Sequence, residues 1–358
     1  MELSYHENWP EAERRLTAFW QGERLDRPTM LIRCRRDSAG CRPVPIPSSL
    51  EEKYTSVDFL CAYHDAMTFN TLCFGEAIPS VGSGLMAGWL PAYGASVAYH
   101  EDTLWYEETI GDWGNPPDFA NTWRDDGWRK VHAIMSALID LSAGRFFVGI
   151  PPYLPPNDLL SLLRGNVRFL MDLYDHPDAI KAALTAMAEC WLAMYAEYEA
   201  LIHSRFEGSF LHYPVWCPGR LGTLQSDVSC MVSSEAFETF IVPELERISG
   251  TLDYTIYHLD GVDAIRHLDR VLEIPGISML QWVPGAGKPG GFRHSMPIFK
   301  RAQQKDRAIY LPVAAADLEF AIREFRPEKT AILISARAPA EARDLLKQAT
   351  VWTQQYWT

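Results

Sequence analysis

The chain has 358 residues, 47 % of them hydrophobic, which is enough for a sizeable core and excludes a disordered protein. Its net charge of −13 argues against binding a phosphate backbone, which needs clustered Lys and Arg, so no nucleic-acid partner is expected. Seven scattered cysteines without a Cys-x-x-Cys pair, no apolar leader in "MELSYHENWPEAERR" and no run of ~18 apolar residues predict a cytoplasmic protein without disulfides or membrane contact.

In chain order, "TMLIRC" (29–34) is the first strand-like run, and the ambiguous "TLCFG" (71–75) is a second candidate. Residues 76–128 do not alternate; they hold Trp89, Trp105, Trp113, Trp123 and Trp128 among Gly, Pro and Asp. So long a loop-rich stretch predicts a lid over a site, with one of Trp89, Trp105 or Trp113 facing the cavity. "RFFVGI" (145–150) follows, then two helices, "NDLLSLLRGNVRFLMDLY" and "PDAIKAALTAMAECWLAMYAEYEALI". "GSFLHYP" (208–214) reads as a strand, residues 215–232 as a long loop, and "SSEAFETFIVPELERISGTL" as a helix. Beyond it "YTIYHL", "ISMLQWV", "AIYLPV" and "TAILISA" alternate with helical patterns.

Strands separated by helices of this length are βαβ units, and βαβ units build a parallel sheet. Eight candidate strands predict a single-domain (β/α)8 TIM barrel over 1–358, with 76–128 as an excursion over its mouth. No G-x-G-x-x-G, nucleotide-binding glycine loop or G-x-S-x-G nucleophile elbow is present.

A barrel active site lies at the C-terminal strand ends, and that rule selects the candidates. They are Arg33, Tyr153, His212, Trp216, Arg220, Gln281 and Trp282 for substrate, and Asp227, His258 and Asp260 for catalysis. In "TIYHLDGVDAIRHLD", His258 and Asp260 are two apart on an extended strand, so both side chains leave the same face. A carboxylate beside an imidazole can orient or charge it for acid–base work or for metal ligation. Asp260 also suits a plainer role, as cap of the helix starting near Val262. Asp227 is a loop carboxylate that either forms a turn or anchors a ligand. Tyr153, Trp216 and Trp282 would wall the pocket.

Together "PNDLLSLLRGNVRFLMDLYDHPD", "LQSDVSCMVSSEAFETFIVPELERI", "YTIYHLDG" and "ISMLQWVPGAG" resemble, in that order, the uroporphyrinogen decarboxylase-like superfamily, including its corrinoid-linked methyltransferase branch. The resemblance covers roughly residues 145–350, with "LDRPTMLIRC" a looser match. It implies methyl transfer between a small substrate and a corrinoid held by a separate protein, and leaves room for a homodimer. Zinc-dependent members carry His-x-Cys at a strand end and a further Cys near the C-terminus. Here His258 matches the His, Asp260 stands in place of the Cys, and no cysteine follows Cys230. The resemblance thus implies zinc only weakly, with His258 as the ligand if a metal is held. Two alternatives are uroporphyrinogen decarboxylase-like decarboxylation, with Arg33, Arg35 and Arg36 on carboxylates, and a non-catalytic small-molecule-binding barrel.

Overall fold

A computed structural model describes residues 3–82, 93–121, 124, 126–151, 154–285, 287–288 and 290–357. The strands are β1 (Thr29–Arg35), β2 (Thr71–Gly75), β3 (Ser80–Val81), β4 (Val97–Tyr99), β5 (Leu104–Tyr106), β6 (Phe147–Val148), β7 (Leu221–Gln225), β8 (Tyr254–Asp260), β9 (Met279–Val283), β10 (Ala308–Pro312) and β11 (Thr330–Ala336). Seven form one sheet in the order β2-β1-β11-β10-β9-β8-β7. All its neighbours are parallel except β1 and β2. The protein is therefore mixed α/β with a mostly parallel sheet.

Parallel neighbours need crossovers, and helices Val242–Ser249, Leu268–Glu273, Phe292–Gln304 and Leu318–Glu324 lie between successive strands from β7 to β11. With helices packed against it the sheet is covered, so β10 and β11 read as nearly unbroken apolar runs that are almost wholly buried. Leu280, Ile309, Ile332, Leu311 and Met279 are all fully shielded in this core.

Two strand expectations need correction. "TLCFG" does form β2, but Thr71 follows helix Val57–Asn70 directly and pairs with Arg35. The strand thus starts at the C-terminal end of β1 and can only run back along it, antiparallel. "GSFLHYP" contributes an isolated bridge, Ser209 to Cys217, while the true strand β7 lies within the stretch read as loop.

Closure into a ring is not seen: among the described residues the hydrogen-bond ladders form an open seven-stranded sheet. β3 and β6 make a separate parallel pair. It is extended by the bond from Ile150 N–H to the Phe210 carbonyl at 2.9 Å. That approach requires Gly149, because a Cβ there would lie 2.6 Å from the Phe210 oxygen.

Two tryptophans of the 76–128 excursion, Trp105 and Trp113, meet solvent and a helix respectively. Trp105 stands exposed on β5, and the Trp113 indole donates to Asp172 at 2.8 Å, on helix Asn166–Asp175. Nearby, the N–H groups of Thr109 and Ile110 bond to the carbonyl of Leu163, at the far end of helix Pro156–Arg164. Trp89 lies outside the described residues.

Candidate functional site

Register places the site. Ladder partners in parallel strands share a face, and Gln225, His258 and Gln281 are consecutive partners across β7, β8 and β9. Counting in twos through Met279, Ala308, Tyr310, Ala331 and Thr29 puts Tyr310 and Arg33 on that same face. One side of the sheet therefore carries Gln225, His258, Asp260, Gln281, Tyr310 and Arg33.

At the C-terminal ends of β7 and β8, one ligand-type atom from each of Asp227, His258 and Asp260 lies within 4.8 Å of the others. Asp260 closes β8, and Gly261 then turns the chain with φ of +82°, a conformation that favours glycine. The 3-10 turn Val262–His267 that follows has no side-chain cap, so Asp260 does not act as one. Its Oδ1 is instead shielded from water with no hydrogen-bond partner among the described residues. An unsatisfied carboxylate oxygen of this kind costs about 1–3 kcal/mol, a penalty that a cation or proton would remove.

His258 is held from behind. Its Nδ1 meets the amide oxygen of Gln281 in a short contact and the Tyr213 hydroxyl at 3.0 Å. Tyr213 donates to the same Gln281 oxygen at 3.0 Å. An amide oxygen only accepts, so the proton of a neutral imidazole sits on Nδ1 and the Nε2 lone pair is left for a ligand. His212 packs against Tyr213 with ring centroids 4.2 Å apart and the planes tilted by 45°. Burial, helped by the nearby His258, lowers its pKa to about 4, so it is neutral at physiological pH. Burial raises the Tyr213 phenol and pushes Tyr310 up to about 12, so both remain proton donors.

Asp227 reaches solvent, but the protein around it strips enough hydration to raise its pKa, and the charge of Asp260 raises it further. Behind it Asp158 is raised by burial and then by the charge of Asp227. A crowd of carboxyl groups that disfavours its own charge is the electrostatic signature of a cation site or a proton-handling site. One imidazole nitrogen and two carboxylate oxygens suit a divalent ion of zinc, iron or manganese type, with positions left over for substrate. The unpartnered Asp260 Oδ1 and the braced imidazole fit such an ion.

Arg33 shares the site's face; its Nε is shielded and has no partner among the described residues. It lines a cavity of ≈ 220 Å³ with His64, Met67, Cys73 and Ser80, among others.

Three further candidates, Trp282, Trp216 and Arg220, are not brought to the cluster. Trp282 adjoins Gln281 on the strand, so it points to the opposite face, where it is buried. Trp216 is buried edge-on against Trp9 at 5.3 Å and donates to the Glu207 carbonyl, as a core residue would. Arg220 precedes β7, at the opposite end from Gln225, and binds Glu199 and the Thr251 carbonyl. Tyr153 lies outside the described residues.

Sequence reasoning missed Tyr310, Gln225 and Asp158 as neighbours of the site. Tyr310 and Gln225 were findable by extending the alternation of His258 to adjacent strands, given the register. Asp158 carried no such signal, because an Asp in a first helical turn looks like ordinary helix chemistry.

No protein-family model matches the chain, and no curated protein sequence matches it. Among solved structures it is similar to a methyltransferase from Methanosarcina mazei, at 11 % sequence identity and a TM-score of 0.59. The match covers 97 % of this chain and 99 % of that one, so the two share a fold along nearly their whole lengths.

Proposed function

We propose that this chain is a methyltransferase that moves a methyl group between a small acidic substrate and a corrinoid carried by a separate protein, using a metal site at Asp227, His258 and Asp260. The observation that carries the reading is the convergence of those three side chains at the strand ends, with their ligand-type atoms within 4.8 Å. The likeness in fold to a methyltransferase supports the same class of reaction. In this reading the seven-stranded sheet and the β3–β6 pair are arcs of one uroporphyrinogen decarboxylase-like (β/α)8 barrel.

A bound divalent ion would supply Lewis acidity toward a substrate heteroatom. A set of two carboxylates and one imidazole is harder than a thiolate set, which favours a substrate that loses its methyl group from oxygen or nitrogen. His258, locked by Gln281 and Tyr213, presents one ring nitrogen in a fixed direction. Arg33, with its unpartnered Nε, offers a guanidinium to a carboxylate. In demethylation the methyl–heteroatom bond breaks, its electron pair stays on the heteroatom, which takes a proton, and the methyl group passes to the reduced corrinoid.

The test combines metal and turnover. Protein purified without added metal is assayed for bound zinc, iron and manganese. It is then incubated with reduced cobalamin and a panel of O- and N-methylated small carboxylates. Stoichiometric metal and methylcobalamin formation are expected, both lost in His258→Ala. Metal-free protein that takes up no divalent ion would overturn the reading. Arg33 also favours a second reading, decarboxylation of an acidic substrate, which would release CO2 without any cobalamin methylation.

A further inference from the structure

The turn that presents Asp227 is held by a residue from another helix. Asp158 sits in the first turn of helix Pro156–Arg164 and is buried. Its Oδ1 accepts the backbone N–H groups of Asp227 at 2.8 Å and Val228 at 3.2 Å, and its Oδ2 accepts the Gln225 side-chain amide at 3.1 Å. These are the donors that open the 3-10 turn Asp227–Met231. The residue placed to cap that turn, Ser226, makes no side-chain cap, and its hydroxyl is shielded with no partner among the described residues. Asn157, next to Asp158, donates to the Gln225 carbonyl at 3.4 Å and to the buried Glu244. One helix start thus clamps the chain from Gln225 to Val228.

We infer that Asp158 is the positioning residue of the cluster, fixing the Asp227 carboxylate against His258 and Asp260 by capping the Asp227–Met231 turn from outside. A serine at 226 could have capped the turn at little cost. A buried carboxyl placed behind another carboxyl is an expensive way to do the same, because burial and the charge of Asp227 both oppose its ionisation. What it adds is distance control: three acceptor contacts pin both the end of β7 and the first residue of the turn. Outer partners that aim a metal ligand typically change metal affinity by about 10–100-fold when removed.

The inference rests on the metal reading above, so its test needs two readouts. The first is amide hydrogen exchange at Asp227 and Val228 in metal-free protein. The second is Co²⁺ affinity and the visible spectrum of the Co²⁺-loaded protein. Asp158→Ala should speed exchange at these two amides, weaken Co²⁺ binding at least about tenfold and alter the spectrum. Asp158→Asn keeps an acceptor for both N–H groups, and Gln225 can turn its amide to face the new NH₂; this variant should restore slow exchange and most of the affinity. A purely structural Asp158 would give a lowered thermal midpoint in Asp158→Ala with unchanged Co²⁺ affinity and spectrum, which overturns the inference. Unchanged exchange at Asp227 and Val228 also overturns it. Wild-type protein that binds no Co²⁺ overturns the metal reading, whatever the exchange data show.

Discussion

Two groups of charged side chains lie at opposite ends of the parallel strands, and they are built on opposite plans. At the N-terminal end of β1, Glu76 is 1 % exposed, yet every demand of its carboxylate is met. Arg27 binds it through two nitrogens at 2.7 Å each, Arg15 pairs with it at 2.8 Å, and the Met30 N–H donates to it. At the C-terminal ends, Asp227, Asp260 and Asp158 crowd one another with no arginine or lysine among their hydrogen-bond or ion-pair partners in the described residues. With Asp26, which Arg15 also binds at 2.7 Å, the first group balances its charges, and it ties helix Trp9–Trp20 and the start of β1 to the end of β2. The second leaves negative charge unbalanced and an oxygen without a partner, an arrangement that folding alone does not favour and that a bound cation would complete.

The largest expected effect comes from breaking the balanced end. Glu76→Ala takes the carboxylate from the nearly buried Arg27 and leaves Arg15 only Asp26 and Glu11, and should cost about 3–5 kcal/mol in a denaturant titration. A loss of under about 1 kcal/mol would mean that water reaches the arginines and that the contrast between the ends is false.

Next in size is a pH effect at the cavity beside Arg33. Burial holds the His64 pKa down at about 4, against an ordinary value of 6.5, so the unfolded chain binds the extra proton first as pH falls. The contribution of His64 to stability is therefore intact above pH 6.5 and shrinks toward pH 4. Relative to His64→Gln, the wild type should lose on the order of 3 kcal/mol across that window. Parallel stability curves for the two proteins would show instead that His64 is hydrated.

Breaking the unbalanced end should act with the opposite sign. Asp260→Asn removes one of the mutually repelling charges, so folding stability should hold or rise by up to about 1 kcal/mol while Co²⁺ affinity falls at least about tenfold. A clear loss of stability would return Asp260 to a scaffold role. The smallest effect sharpens the comparison: Tyr213→Phe removes the hydroxyl shared by His258 and Gln281, at about 1 kcal/mol. Its Co²⁺ affinity should drop less than that of Asp260→Asn, since Gln281 still holds Nδ1. An equal or larger drop would make the hydroxyl itself part of the site.

How much of this was legible in the sequence follows from the range of the interactions. β8 to β11 alternate with helices in regular units, so their apolar runs could be read directly. His258 and Asp260 could be paired because a period of two is a local property. β7 was lost because Gly222 and Thr223 interrupt "LGTLQ", while the aromatic, apolar "GSFLHYP" imitated a strand. Trp216 and Trp282 were given to the pocket because their position suggested it, yet the face and the depth of a tryptophan depend on what packs against it. Trp9, which buries Trp216, lies at the other end of the chain. Asp158 was beyond reach for the same reason, since its acceptor contacts bridge 67 to 70 positions.

The antiparallel run of β2 has an effect on access. By occupying the edge of β1, it keeps β3 from pairing there and leaves a gap in the wall where a ring would have had a continuous ladder. The cavity containing Arg33 lies in that gap, with Cys73 of β2 on one flank and Ile78, Pro79 and Ser80 on the other. Arg33 thus shares this cavity with Met67 and Thr71 as well as standing on the face that carries His258. Tyr63, His64, Met67 and Thr68 of helix Val57–Asn70 complete its lining, so residues far in sequence from the carboxylate cluster shape the space beside Arg33.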